Sequence, residues 1–247
     1  MMRDRICVST WSFHTLFETG RMQVLDFVEE VADRYGVHNL EIVAPHFGNA
    51  DPREVQGRLD RTHSRIVNIP VDIKELWETP SLSSPDPAVS ARAVALYSAW
   101  IDRAQGLGVH SVRCDPGLLN LNDLTPTIAS YRKLVEYGRA RGVDVIVENH
   151  GSASEHPEQL AEVLRKSGAG SLPDFGNFPD SATRERGLRL LFPLAKSLCH
   201  VKRIPELRRC VEIARESGFS GVFSIETGTP GDSYEAVQDV IEALSEL

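Results

Sequence analysis

Short apolar runs alternate along this chain with longer stretches whose apolar positions recur every three to four residues. The first kind reads as strands and the second as amphipathic helices. Strand-like runs occupy residues 6–12, 39–44, 65–70, 109–115, 143–148, 169–173, 195–200 and 222–226. Helical periodicity covers roughly 22–35, 51–61, 88–105, 123–140, 157–166, 182–192, 205–217 and 233–246. In the first helix Val24, Val28, Val31 and Tyr35 fall on one face. Gly36, Gly108, Gly142, Gly168 and Gly218 each stand between a helix and the next run, the place of a helix-ending glycine. Strict strand–helix alternation implies a parallel sheet. Eight units predict an α/β protein with a single (β/α)8 TIM barrel domain over residues 1–247. An open doubly wound sheet is the rival, but no GxGxxG follows the first run and no P-loop occurs. The longest irregular stretch, residues 71–87, is expected to form a lid or an ordered wall of the site.

Polar residues at the ends of the runs change the picture from fold to chemistry. Residues 143–147 form a β-branched run that delivers Glu148 where a buried strand should emerge. Asp174, His200 and Glu226 follow at successive intervals of 26 residues, about one strand–helix unit each. In a barrel these four would come from strands five to eight and share the C-terminal mouth, where active sites are built. Three carboxylates and an imidazole suit one divalent ion, Mn²⁺ first, with Mg²⁺, Co²⁺ or Zn²⁺ as alternatives. Four protein ligands on a six-coordinate ion leave two positions for substrate. Spacing alone does not decide the matter, because 35 Asp and Glu and 8 His are scattered over 247 residues.

Composition narrows the partners. Hydrophobic residues at 41% and charged residues at 25% describe an ordinary globular protein. A formal net charge of −8 argues against a nucleic-acid surface, whose footprint is basic. No stretch approaches the ~20 apolar residues of a membrane span. The opening MMRDRICVSTW lacks the apolar core of a signal peptide, so a cytoplasmic protein is expected. Cys7, Cys114, Cys199 and Cys210 have no CxxC spacing and read as reduced core thiols.

The segments IVENHG, PDFGNFPD, CHVK and FSIETG, with AQGLGVHSVRCDPG at the fourth strand, resemble the xylose isomerase-like TIM barrels. That superfamily of sugar-phosphate isomerases and epimerases also holds tagatose-type 3-epimerases, hydroxypyruvate isomerases, inosose dehydratases and endonuclease IV-type enzymes. The resemblance spans nearly the whole chain and is strongest over residues 107–227. It implies the same fold, a metal held by Glu148, Asp174, His200 and Glu226, and a proton-transfer pair of Glu148 and Glu226. Moving a proton from a carbon beside a carbonyl needs a base, an acid and stabilisation of an enediolate. A metal supplies the last of these as a Lewis acid.

Further residues at the expected mouth are candidates for substrate contact. Trp11 and His14 follow the first strand, His46 the second, Arg113 lies near the end of the fourth, and His150 is two past Glu148. Lys202, two after His200, is a candidate for a hydroxyl or phosphate. Asn177 stands where the epimerases and endonucleases often carry His, which removes one imidazole from the mouth. After His200 the chain enters its next helix through residues 203–205, a shorter loop than many members have, so substrate does not carry over by resemblance. The expected function is a metal-dependent isomerase or epimerase of a sugar, sugar phosphate or related hydroxy-carbonyl compound. Its rivals are an inosose- or dehydroshikimate-type dehydratase on the same site, and a barrel that binds a ligand, or serves as a subunit, without turnover. The expected partner is a small carbohydrate, with no nucleic acid and no membrane; self-association into a homo-oligomer is left open.

Overall fold

The structure is a computed structural model that describes residues 2–228 and 233–247. Eight parallel strands run β1 (Ile6–Ser9), β2 (Asn39–Glu41), β3 (Arg65–Pro70), β4 (Ser111–Arg113), β5 (Asp144–Glu148), β6 (Gly170–Leu172), β7 (Leu198–Val201) and β8 (Val222–Ile225). Their order is β6-β5-β4-β3-β2-β1-β8-β7. Bridges Ser171–Ala195 and Asp174–His200 join the two ends, so the sheet closes on itself. At that seam His200 N donates to Pro173 O at 2.9 Å, and Phe175 N donates to His200 O at 3.1 Å. Helices between the strands, such as Val24–Tyr35, Pro87–Gly106, Thr125–Arg139 and Ser233–Ser245, complete the expected (β/α)8 barrel.

Two layers of side chains fill the barrel. Cys7, Ile146, Leu172, Leu198 and Val222 form an apolar cluster apart from the main core under the helices. Two residues further along each strand the same face turns polar, because strand side chains alternate with a period of two. Ser9, Glu148, Asp174, His200 and Ser224 stand at those positions, all at most 1% exposed. An apolar plug therefore supports a polar floor at the C-terminal end of the strands. The four cysteines are buried free thiols, as expected.

Several predicted boundaries shift for local reasons. The first strand stops at Ser9, whose Oγ accepts from Trp11 N at 3.2 Å and caps a 3-10 helix, Thr10–Phe13. Trp11 therefore sits on that helical turn, and His14 opens the short helix His14–Glu18 that follows. The second strand stops at Glu41, after which Val43 N donates to Thr10 Oγ1 at 2.9 Å. A register shift between Leu40 and Glu41 sets Glu41 beside Asn68 of β3. Gly36, Gly108, Gly142, Gly168 and Gly218 all adopt positive φ, as the repeated helix-to-strand punctuation predicted.

The stretch 71–86 is an ordered wall. It holds a short helix, Lys74–Trp77, and buries Ser81, Leu82, Ser83 and Ser84. The loop after β4 clamps it: Ser83 N and Ser83 Oγ donate to Pro116 O, and Leu118 N donates to Thr79 O. Gly117 lies at the contact with φ +75, and a Cβ there would come 2.1 Å from Thr79 O. Gly142 has φ +69 but open space around it. Gly142→Ala should therefore cost only the left-handed backbone term, about 1–2 kcal/mol. Gly117→Ala adds an overpacking cost and should lose about 2–5 kcal/mol. Urea unfolding of both variants checks this; equal losses would mean that the two loops do not pack as described.

Candidate active site

The four run-ending residues meet. Glu148, Asp174, His200 and Glu226 each offer a ligand atom, all within 4.8 Å of one another, and all four are buried. His200 Nδ1 lies 3.1 Å from Glu148 Oε1, 3.4 Å from Glu226 Oε2 and 3.7 Å from Asp174 Oδ2. Glu148 and Asp174 each turn one oxygen to this point and are anchored through the other. Asp174 Oδ1 accepts from the backbone N–H groups of Gly176 and Asn177 at 2.6 and 2.7 Å. That turn leaves Asp174 Oδ2 facing the cluster, with the Lys202 ammonium beside it.

Asn177 and Lys202 belong to the same cluster. Asn177 Nδ2 donates to Glu148 Oε1 at 2.9 Å, and its Oδ1 accepts from Lys202 Nζ at 2.7 Å. Lys202 Nζ also lies 2.8 Å from Asp174 Oδ2 and 3.4 Å from Glu226 Oε2. Its stem crosses Gly176, where a Cβ would meet Lys202 Cδ at 2.6 Å, so only glycine lets the lysine reach in. Arg113 is 3% exposed and engaged by three carboxylates: Glu148, Asp115 at 3.1 Å and Asp72 at 3.5 Å. Its charge is matched by these carboxylates, while its Nε and Nη2 have no hydrogen-bond partner.

Sequence reasoning missed the residue beneath the histidine. Glu41 is fully buried, and its two carboxylate oxygens lie 3.1 and 2.9 Å from His200 Nε2. Asn68 Nδ2 and Ser224 Oγ donate to the same carboxylate at 2.7 and 2.8 Å. The signal was available, for Glu41 interrupts an apolar run as conspicuously as Glu148 ends one. Asp115, 2% exposed beside Arg113, was likewise passed over.

Burial and charge set the ionisation of these groups. Burial alone would raise Glu148, but the His200 and Arg113 charges beside it hold its carboxyl well below the usual range. Glu226 is raised, by burial first and then by the negative charge of Glu148 and Asp174, against His200 and Lys202. Burial disfavours the His200 cation, yet Glu226, Glu41 and Glu148 together push its pKa well above the ordinary value. Among the described residues, Glu41, Asp115, Glu148, Asp174 and Glu226 are all at most 6% exposed. Arg113, Lys202 and His200 are the cations that face them. The surplus is anionic, and the oxygen-rich donor set fits a hard divalent cation.

Of the other predicted contacts, Trp11 and His46 line a cavity of 730 Å³ at the ends of β1 to β3, with Phe17, Phe47 and Asp72; none of Glu148, Asp174, His200 and Glu226 is in its wall. Asp72 also faces Arg113, which ties this cavity to Glu148. His46 stacks on Phe17, with ring centroids 4.2 Å apart. Burial and the nearby His14 lower its pKa to about 4, and Nδ1 has no partner, so it presents a neutral imidazole. His14 is not in the lining; it stacks on Trp11 and its Nδ1 lies 2.8 Å from Trp11 O. His150 is half-buried and packs edge-on against Trp77, with centroids 5.4 Å apart. No helix is long and apolar enough to cross a membrane among the described residues.

Breaking the Arg113 cluster leaves buried carboxylates without a counter-charge. Arg113→Met should cost about 3–5 kcal/mol in chemical denaturation of metal-free protein. Removing the exposed Lys166–Glu162 pair should change stability little. Comparable losses in the two variants would contradict the buried cluster.

Solved structures with similar folds cover nearly the full length. D-allulose 3-epimerase from Methylomonas sp. superposes with a TM-score of 0.79 at 12% identity, over 100% of this chain and 98% of that one. A D-tagatose 3-epimerase-like protein gives 0.76 at 18% identity over 98% and 97%. D-psicose 3-epimerase from Clostridium cellulolyticum H10, solved with D-tagatose, gives 0.69 at 16% identity over 96% and 91%. No curated protein matches the chain in sequence. The family profile of the xylose isomerase-like TIM barrel matches residues 25–201, and the chain belongs to that family.

Proposed function

We propose that this protein is a divalent-metal-dependent isomerase or epimerase of an unphosphorylated sugar or related hydroxy-carbonyl compound. One observation carries the reading: Glu148 and Glu226 reach a common point from β5 and β8, the two outer strands of four consecutive ones, with Asp174 and His200 between them. Glu148, Asp174, His200 Nδ1 and Glu226 would hold the ion, which when bound polarises a carbonyl and stabilises developing enediolate charge. Glu148 and Glu226 are the proton-transfer pair. One carboxylate removes the proton from the carbon beside the carbonyl, and the other carboxyl returns a proton to the opposite face. Return to the same carbon inverts it, and return to its neighbour interconverts aldose and ketose. The likeness in fold to 3-epimerases of D-allulose and D-psicose supports a free sugar as substrate.

The charges support the same substrate class. Arg113 and Lys202 are both held by carboxylates, so neither offers a phosphate an unengaged cation. The described lining of the 730 Å³ cavity contains Glu18, Glu54 and Asp72 and no lysine or arginine. A phosphate there would meet repulsion, whereas hydroxyl groups can donate to the carboxylates. The apolar faces of Trp11 and Phe17 suit the C–H side of a sugar.

A second reading has its own observation. Lys202 Nζ already lies between Asp174 and Glu226, so a barrel that uses this ammonium as its permanent cation would bind a ligand without turnover. Elimination of a β-hydroxyl, a dehydration, would use the same two carboxylates. Incubating the Mn²⁺-supplemented protein with a panel of ketohexoses in D₂O separates the three. The expected result is deuterium at a carbon beside the carbonyl, without mass loss. Glu148→Gln and Glu226→Gln should each slow its entry by about 10²–10⁴-fold. Bound sugar with no deuterium would favour the non-catalytic barrel, and loss of water the dehydratase.

A further inference from the structure

Glu41 lies below the proposed metal centre, and no step of the chemistry above uses it. It is fully buried, with Leu40 and Ile42 beside it in sequence at 0% exposure. A buried carboxylate is retained only where its lone pairs are satisfied. Here every neighbour is a donor: Asn68 Nδ2 at 2.7 Å and His200 Nε2 at 3.1 Å on Oε1, His200 Nε2 at 2.9 Å and Ser224 Oγ at 2.8 Å on Oε2. Asn68 is fixed in turn, because its Oδ1 faces the Ser111 hydroxyl at 3.0 Å. The carboxylate oxygen at 2.7 Å requires the amide nitrogen on its own side.

We propose that Glu41 is a positioning residue of the metal centre: it holds the proton of His200 on Nε2, so that Nδ1 is the nitrogen available to a divalent cation. The inference rests on reading Glu148, Asp174, His200 and Glu226 as metal ligands. With Nε2–H donated to Glu41, the ring cannot rotate without losing a charge-assisted hydrogen bond in a buried layer. The lone pair of a neutral His200 is then confined to Nδ1, which faces Glu148, Glu226 and Asp174 at 3.1, 3.4 and 3.7 Å. Electron density from the carboxylate also makes that nitrogen a better ligand. The register shift between Leu40 and Glu41 serves this arrangement, for it sets Asn68 directly across from Glu41.

Glu41→Gln keeps the shape of the side chain and inverts part of its chemistry. One acceptor oxygen becomes an NH₂ group among neighbours that all donate. Relief comes by turning the Asn68 amide, rotating the Ser224 hydroxyl, or moving the His200 proton to Nδ1. The last change blocks the ligand atom. The test is calorimetric titration of Mn²⁺ into metal-stripped wild type, Glu41→Gln and Ser224→Ala, at a temperature where circular dichroism shows all three folded.

Glu41→Gln should bind Mn²⁺ about 10- to 100-fold more weakly, the usual effect of losing a partner behind a histidine ligand. Ser224→Ala, which removes one donor from Glu41, should show a smaller loss in the same direction. Unchanged Mn²⁺ affinity in Glu41→Gln, with only a lower melting temperature, would make Glu41 part of the scaffold and overturn the proposal. If Glu41→Gln does not fold, unchanged affinity in Ser224→Ala overturns it instead. Failure of the wild type to bind Mn²⁺ overturns the metal reading itself and is seen in the wild-type titration alone.

Discussion

His200 is held from every side, and the rest of the site depends on that. Its backbone carries the hydrogen bonds that close the barrel between β6 and β7. Its Nε2 faces Glu41 below, and its Nδ1 faces Glu148, Asp174 and Glu226. The residue that seals the sheet thus also sits at the centre of its charge cluster. Fold closure and site assembly are one event, because the side chain is oriented by strands that must already be paired.

Such a concentration of buried carboxylates is costly by itself, several kcal/mol for each uncompensated ion. The chain offsets it with a layered arrangement. Apolar side chains fill the barrel below, Arg113 faces Glu148, Asp115 and Asp72 on one flank, and Lys202 faces Asp174 and Glu226 on the other. These pairings leave neither Arg113 nor Lys202 with an unmatched charge. They also leave an overall negative surplus that a divalent ion would reduce. The stability of the site and the metal and substrate preferences proposed for it rest on the same set of charges.

Much of this was legible in the sequence. Periodicity and helix-ending glycines located eight strand–helix units, and the apolar run ending at Glu148 marked the rim. The segments around Glu148, Asp174, His200 and Glu226 pointed to a family that the match over residues 25–201 bears out. What escaped were features that depend on neighbours distant in the chain. Arg113 read as a substrate contact because Asp72 and Glu148 come beside it only when β4 pairs with β3 and β5. Glu41 stands inside the expected strand 39–44 rather than at its end, and only the register shift beside Asn68 gives it its place. Trp11 was expected on a strand and lies on a helical turn, because Ser9 caps the chain two residues earlier.

The central claim is that these four side chains form a metal centre and that Lys202 only neighbours it. Crystals of the protein grown with Mn²⁺ and measured near the manganese absorption edge test it most directly. The account predicts one anomalous peak bounded by Glu148, Asp174, His200 Nδ1 and Glu226, with the Lys202 ammonium moved off Asp174. A map without that peak, with Lys202 Nζ still between Asp174 and Glu226, would contradict it.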